Sequence, residues 1–265
     1  MVSKDSAIKK PEMGAEYKNW LKKEHSIITL HPLKTHYEVV GDKIKRDLEQ
    51  STLWKDLLKS LPDYNEEYRV KHDYELLLPG FSPNIVIKPF QSFLRKTHRK
   101  NIKENKNWPR VPQSGWVLPH NWFSQINDIV RTLIIVKYLD GVTFLVNKID
   151  SLCKQSQLGF EASLEARPEG YYAAHLYTRM NFEIPKVSWE TERVDVFFEI
   201  QVTTQLQENI RNLLHKYYKE RRNRLTSEAE KWEWDYKSDE FAANYLGHIL
   251  HYLEGMIVEI RGRRK

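Results

Sequence analysis

The order in which hydrophobic periodicity changes along the second half of the chain constrains its fold more than any other feature. Four segments are rich in β-branched and alternating apolar residues, as strands are, and two have the 3.6-residue apolar repeat of helices. The strands are predicted at residues 129–138, 159–166, 171–182 and 192–203, and the helices at residues 141–154 and 204–222. The resulting order, strand–helix–strand–strand–strand–helix, predicts an α+β fold: a mixed β-sheet of four to five strands covered by helices.

Helical patterns flank this core on both sides. Residues 15–62 show apolar stripes typical of helices, and Pro62 is expected to end one of them. A last helix is predicted from about Asp239 to Ile260, with its large apolar face buried against the core. That face comprises Phe241, Tyr245, Ile249, Tyr252, Leu253 and Met256. We therefore divide the chain into a helical N-terminal extension (1–89), a core (90–225) and a helical C-terminal tail packed on the core (226–265).

Composition excludes several classes of protein. The chain has 265 residues, of which 40% are hydrophobic and 12% aromatic, so a globular protein is expected and extensive disorder is not. The longest aliphatic run, residues 133–136, is far too short to cross a membrane. The polar start lacks the apolar core of a signal peptide, which predicts a cytoplasmic protein with no membrane partner. The single cysteine, Cys153, rules out an intrachain disulfide and falls on an apolar helix face, as a buried thiol does.

The charge distribution favours anionic partners. The formal net charge is +6 and the isoelectric point is near 9.1, consistent with nucleotides or nucleic acid. Cations concentrate in residues 95–106 and again in residues 216–224. Each cluster taken alone is typical of a solvated helix face. A nucleic-acid interface therefore needs support from other residues.

The strand at residues 192–203 has one apolar and one polar face. Val196, Phe198 and Ile200 alternate with Glu199 and Gln201, so a carboxylate and an amide share one side of the strand. A polar strand face of this kind suits the floor of a site for a polar ligand.

Three further positions extend this constellation. Asp128 stands at the start of the first predicted strand, and strand alternation places Tyr171 and His175 on one face of another. His215 follows Arg211 by four residues on a predicted helix, so these two side chains share a helix face. Three strand sites and one helix site thus occur in a fixed order.

This order resembles the synthetase domain of the RelA/SpoT-type nucleotide pyrophosphokinases over roughly residues 90–225. That family has an Asp-Ile-x-Gly-x-Arg strand, a Gly-Tyr-x-Ser-x-His strand, a Glu-x-Gln-x-Arg-Thr strand and a His-x-x-Tyr-Lys helix. The matching residues here are Asp128-Ile129, Gly170-Tyr171 with His175, Glu199 with Gln201 and Thr204, and His215 with Tyr218-Lys219. Leu133, Ala173 and Thr203 depart from the pattern, and the chain looks most like the toxic small alarmone synthetases.

The resemblance implies an ATP-dependent pyrophosphokinase, which moves the β,γ-pyrophosphate of ATP to a ribose 3′-hydroxyl and releases AMP. It assigns Asp128 and Glu199 as Mg²⁺ ligands, because a hard cation prefers carboxylate oxygens. Glu199 is also the candidate base for the acceptor hydroxyl, and Gln201 and His215 complete the catalytic set.

The same resemblance implies the binding residues. Tyr171 and His175 are expected to bind the acceptor, with the Tyr171 ring stacking on its base. The residues expected to hold the ATP phosphates are Arg95, Lys96, Arg99, Lys100 and Arg131. The residues expected to contact RNA are Arg221, Arg222 and Arg224.

The preferred acceptor is the 3′-CCA end of tRNA, since two cationic clusters exceed what one nucleotide requires. This acceptor makes the protein a translation-inhibiting toxin of a toxin–antitoxin or phage-defence system, with a separately encoded antitoxin as partner. The alternatives are synthesis of (p)ppGpp or (p)ppApp from GDP, GTP or adenosine nucleotides, and a catalytically inactive RNA-binding module.

Overall fold

A computed structural model of the chain describes residues 9–25, 30–186, 190–221 and 232–263, without the side chains of residues 30 and 214–221. The helices of these ranges are α1 (Ala15–His25), α2 (Leu30–Gln50), α3 (Thr52–His72), α4 (Phe90–His98), α5 (Trp122–Gln125), α6 (Leu139–Gln155), α7 (Gln205–Arg221) and α8 (Asp239–Gly262). The strands are β1 (Ile85–Ile87), β2 (Val130–Val136), β3 (Phe160–Ala166), β4 (Tyr172–Pro185) and β5 (Thr191–Thr204).

The strands form one mixed sheet in the order β1-β2-β5-β4-β3, with β3 antiparallel to β4. The predicted α+β class is therefore confirmed, and four strands lie close to their predicted bounds. Strand β1 was not predicted, because three residues are too few to show a period. In β5 the even-numbered residues from Val196 to Val202 are buried, as the alternation indicated.

Contacts divide the chain into two compact units, each assembled from three segments. The first unit comprises Met1–Glu49, Val86–Arg131 and Arg179–Phe198. The second unit comprises Gln50–Ile85, Thr132–Thr178 and Glu199–Lys265. The boundaries predicted from sequence, at residues 89 and 225, remain a proposal about domain organisation.

In the first unit a buried asparagine holds the proline-rich segment that precedes α5. Asn101 lies in a π-helical turn after α4, and its amide donates to Val117 O (3.0 Å) and accepts from Val117 N (2.9 Å). The same amide donates to the Tyr17 hydroxyl, which in turn donates to Thr97 (3.1 Å). Irregular backbone can be buried here because these side chains satisfy its polar groups.

In the second unit α3 packs against α6 and continues through Pro62. The expectation that a helix ends at Pro62 is therefore wrong. Pro62 itself is exposed, whereas Leu57, Leu61 and Tyr68 on the same helix are buried. Burial of that apolar face outweighs the loss of one backbone hydrogen bond, which costs about 3 kcal/mol in a helix interior.

The orientation of α8 differs from the prediction. The large side chains expected to be buried, from Tyr245 to Met256, are exposed, and the buried residues are Ala243, Asn244, Gly247 and Glu254. A Cβ added to Gly247 would lie 2.4 Å from the backbone oxygen of Gly170, so α8 meets this backbone at a glycine–glycine contact. Such a close approach excludes side chains between the two segments, and the apolar stripe consequently faces away.

Candidate functional site

Asp128, two residues before β2, is held by two lysine ammonium groups in the first unit. Lys88 Nζ lies 2.8 Å from Oδ2 and Lys96 Nζ lies 2.9 Å from Oδ1. A backbone hydrogen bond from Lys88 N to Ile129 O (2.8 Å) joins the segment after β1 to the start of β2. All three charged side chains are largely buried, so their charges interact more strongly than they would in water.

The charges of this cluster perturb one another. Burial by itself raises the pKa of the Asp128 carboxyl, but Lys96 and Lys88 outweigh burial and the pKa is lowered. Burial lowers the pKa of Lys88, against the opposing effect of Asp128, and burial followed by the charge of Lys96 lowers the pKa of Lys100. Since Arg131 also acts electrostatically on Lys88, cations outnumber the single carboxylate. An excess of poorly hydrated cations suits a polyphosphate anion.

The five residues predicted to bind ATP do not all lie at this cluster. Lys96 and Lys100 share the side of α4 and its π-helical turn that carries the buried charges, and Lys100 donates to Gln125 O (3.1 Å). Arg95 and Arg99 are exposed one helical turn apart, and Arg99 pairs with Glu104 (3.0 Å). The structure thus separates a buried pair of lysines from an exposed pair of arginines.

The second cluster lies in the other unit and centres on Glu199. Its Oε1 accepts hydrogen bonds from His175 Nδ1 (2.7 Å) and from the Tyr177 hydroxyl (3.1 Å). The Nε2 atom of His175 lies 3.0 Å from the Tyr171 hydroxyl. Because a carboxylate only accepts, Nδ1 carries a proton, and in the neutral ring Nε2 accepts from Tyr171. Tyr171, His175 and Glu199 therefore form a hydrogen-bonded chain.

Strand geometry brings these residues together. Alternation along β4 puts His175 and Tyr177 on one face, and alternation along β5 puts Glu199 and Gln201 on that same face. Gly170, just before β4, adopts a left-handed φ of 74°, which glycine tolerates best. The predicted shared face of Tyr171 and His175 is observed, while the roles assigned to these residues remain proposals.

The other oxygen of Glu199 has no partner. Glu199 is 2% exposed, and no hydrogen-bond donor of the described residues reaches its buried Oε2. Leaving a buried polar atom unpaired costs about 1–3 kcal/mol and more for a charged group, so such atoms are few in folded proteins. A buried carboxylate with one oxygen fixed by donors and one free is suited to taking a proton or binding a cation.

Charged side chains surround the Tyr171 ring. The Arg167 guanidinium lies 5.2 Å from the ring centroid, and its Nε donates to Glu165 Oε2 (2.8 Å). Burial raises the pKa of the Tyr171 hydroxyl to about 12, although Arg167 opposes this shift and Arg211 does so more weakly. The phenol is therefore neutral at physiological pH and able to donate to His175. A nucleobase stacking on this ring must use the face opposite Arg167 or displace that side chain.

Some predicted residues fall outside the described part of the chain. His215 and Arg221 lie in α7, but their side chains are not described, and Arg222 and Arg224 follow beyond it. Thr203, which replaces the family's arginine, donates its hydroxyl to Tyr172 O (3.0 Å) and so ties β5 to the start of β4.

Sequence reasoning missed four residues of these clusters: Lys88, Glu165, Arg167 and Tyr177. Tyr177 was available from alternation, being two residues after His175 on the same strand. Glu165 lies opposite Ala173 in the β3–β4 register, and no sequence pattern specified that register. Lys88 follows a strand too short to be recognised.

Metal binding was tested against the same residues. Across the described ranges, no group of three or more His, Cys, Asp or Glu side chains is placed to hold an ion. Glu199 has a free oxygen, whereas both oxygens of Asp128 are paired with lysines. These donors fit Mg²⁺ that takes most of its ligands from phosphate and water, as Mg²⁺ usually does.

Comparison with solved structures identifies the fold. The chain superposes on Bacillus subtilis small alarmone synthetase 1 bound to its product pppGpp with a TM-score of 0.53 and 16% identity, covering 93% of this chain and 98% of the other. A GTP pyrophosphokinase family protein from Streptococcus pneumoniae gives 0.51 and 14% identity, covering 95% of each chain. Small alarmone synthetase 2 from B. subtilis gives 0.50 and 17%, covering 87% of this chain and 97% of the other.

The chain therefore has the fold of the small alarmone synthetases, as its four ordered motifs predicted. No protein-family model matches the sequence, and no curated protein matches it either. In the described part of the chain, no helix combines the length and apolar content that a membrane span requires.

Proposed function

We propose that this protein is an ATP-dependent pyrophosphokinase whose acceptor is the ribose 3′-hydroxyl at the CCA end of tRNA. The observation that carries the proposal is the buried Glu199 carboxylate, with Oε1 fixed by His175 and Tyr177 and Oε2 unpaired. The fold is that of proteins described as alarmone synthetases and a GTP pyrophosphokinase family protein, which supports the reaction class.

In the proposed reaction the acceptor 3′-oxygen attacks the β-phosphorus of ATP. The bond from that phosphorus to the α,β-bridging oxygen breaks, AMP leaves, and Glu199 Oε2 takes the hydroxyl proton. Hydrogen bonds from His175 and Tyr177 orient the carboxylate, and Tyr171 supplies a ring for the acceptor base. Because Tyr171 donates to His175, the ring is held in place before the acceptor binds.

The ATP triphosphate is assigned to the cations around Asp128. Lys88, Lys96 and Lys100 are partly withdrawn from water, which strengthens their attraction for phosphate oxygens. Mg²⁺, when bound to the triphosphate, neutralises charge that develops on the transferred and leaving groups. Asp128 and Glu199 are each candidate ligands for that ion, and Asp128 also keeps the lysines in position.

The choice of tRNA over a free nucleotide rests on the exposed cations. Arg95 and Arg99 are exposed, and the second basic cluster, including Arg221, Arg222 and Arg224, follows in the sequence. Phosphate contacts of a tRNA body use several cations, and this contribution falls steeply with salt. Charge reversal at the three C-terminal arginines should weaken transfer to tRNA while ATP binding is retained, and added salt should have the same effect.

The deciding experiment uses ATP labelled at the γ-phosphate. The protein is incubated with Mg²⁺ and either deacylated tRNA or a mixture of GDP and GTP, and the products are separated. Label in tRNA with equimolar AMP is the expected result. Label in GDP or GTP alone overturns the choice of acceptor and supports alarmone synthesis, the activity after which the B. subtilis neighbours are named. Absence of AMP with every acceptor overturns the enzyme and leaves an RNA-binding module.

A tRNA-modifying activity of this kind stops translation, so a partner that restrains it is part of the proposal. Induced expression of the chain alone should arrest growth, and co-expression of a neighbouring antitoxin gene should restore it. Harmless expression of the chain with its transfer activity intact would contradict the toxin assignment.

A further inference from the structure

Helix α8 exposes a continuous set of large apolar side chains. For each of eight residues, between 39% and 69% of the surface is accessible. They are Tyr245, Leu246, Ile249, Tyr252, Leu253, Met256, Ile257 and Ile260. With roughly 150–250 Å² per side chain of this size, these fractions correspond to on the order of 700 Å², above the 300–600 Å² of the largest patch on a typical monomer.

The opposite face of α8 is already committed to the protein. It packs against α6, α7 and the short helical turn Trp232–Trp234, and Gly247 contacts the backbone of Gly170. Rotating the helix to bury its apolar side would place larger side chains where only glycine fits. The exposed face is therefore a fixed property of the docked helix.

The spacing of the exposed residues identifies what can cover them. Five of them follow in steps of three and four residues, the a/d repeat of a coiled-coil seam. These five are Leu246, Ile249, Leu253, Met256 and Ile260. A seam of this type packs against another helix carrying the same repeat, with side chains of one helix inserted between those of the other.

We propose that this face pairs with α8 of a second copy of the chain, in antiparallel orientation. A two-fold axis brings the same seam to both sides, so one stripe supplies both halves of the interface. The area matches the roughly 800 Å² per partner of a stable interface.

The charges at the two ends of α8 set the orientation. The first turn carries Asp239 and Glu240, and the end carries Arg261 and Arg263. In an antiparallel pair the acidic start of each helix lies beside the basic end of the other, whereas a parallel pair brings like charges together. This pairing does not depend on the reaction proposed above.

Sedimentation of the full chain tests the pairing. We expect a mass twice the 31.7 kDa of the chain within about 1–100 μM, the weak end of affinities for interfaces of this size. Ile249→Glu and Leu253→Glu should each raise the dissociation constant about 100-fold or more, because each places an unpaired charge in an apolar seam. The matched control is Val70→Glu on α3, an exposed apolar residue outside the seam, which should change nothing.

A wild-type chain that stays monomeric throughout this range overturns the proposal and leaves the face for a different protein. A dimer that survives both seam substitutions shows that another surface pairs, which also overturns it. Because the substituted side chains are already exposed, the variants should keep the wild-type circular dichroism spectrum.

Cysteine cross-linking then tests the orientation. In an antiparallel pair centred on Leu253, Leu253→Cys self-couples, whereas two copies of Leu246→Cys lie about 20 Å apart along the axis, beyond disulfide reach. Leu246→Cys mixed with Ile260→Cys should couple instead. Self-coupling of Leu246→Cys contradicts the antiparallel arrangement.

Discussion

The contact between Gly247 and Gly170 supports a quantitative prediction about stability. In Gly247→Ala the new Cβ lies 2.4 Å from the Gly170 backbone oxygen and 3.0 Å from its carbonyl carbon. Both neighbours are backbone atoms, so relief requires α8 to move, and overpacking of this kind costs about 1–3 kcal/mol, or more when nothing can yield. Alanine also gains about 1 kcal/mol of helix propensity over glycine. With the clash near the top of its range, we expect a net loss of about 2 kcal/mol.

Gly255→Ala is the matched control, because it makes the same substitution eight residues later on the same helix, where nothing lies within 4 Å of the added Cβ. It should stabilise the protein by about 1 kcal/mol, so the two variants should differ by about 3 kcal/mol. Urea unfolding followed by circular dichroism gives this difference from the two midpoints. Equal shifts of the two variants in the same direction would refute the close docking of α8, and with it the reason that its apolar face is exposed.

Three further predictions concern single side chains. Burial raises the pKa of Tyr171 to about 12 in the folded state, so the stability that comes from its neutral form is complete below pH 10 and lost as pH rises toward 12. Urea midpoints of wild type should therefore fall relative to those of Tyr171→Phe over this window, and parallel midpoints would contradict the buried phenol. Burial followed by the charge of Asp150 raises the pKa of the Cys153 thiol to about 11, so it should react with a thiol reagent only after unfolding. Asn101→Ala should lower the free energy of unfolding by about 2–5 kcal/mol, because it leaves the N–H and C=O of Val117 unpaired in the interior, and a loss below 1 kcal/mol in urea titration would contradict that role.

Much of the fold was predictable because its signals are local. The alternation in β2 and β5 and the 3.6-residue repeat of α6 come from packing against one core, and both are visible in the sequence. The orientation of α8 was not predictable in this way. Its most apolar stripe lies outside because Gly170, about 77 residues earlier in the chain, meets Gly247, and a pattern within one helix carries no record of such a contact.

The candidate site divides along the same line. His175 and Glu199 were expected on polar strand faces, and the structure joins them by a 2.7 Å hydrogen bond. Lys88 was not expected beside Asp128, because the two are 40 residues apart and only tertiary packing brings the ammonium within 2.8 Å of the carboxylate. Residues on one strand face can be read from spacing, but partners from separate elements cannot.

The central claim is that Glu199 takes the acceptor proton while the cations around Asp128 hold ATP. Its most direct test is to measure both the dissociation constant for ATP and the rate of AMP release in Glu199→Gln, with Glu161→Gln, an exposed acid on β3, as the matched control. We predict that Glu199→Gln binds ATP as wild type does and releases AMP about 10²–10⁴-fold more slowly, the range typical of a lost general base, while Glu161→Gln changes neither quantity. AMP release by Glu199→Gln within about threefold of the wild-type rate, far above that range, would contradict the claim.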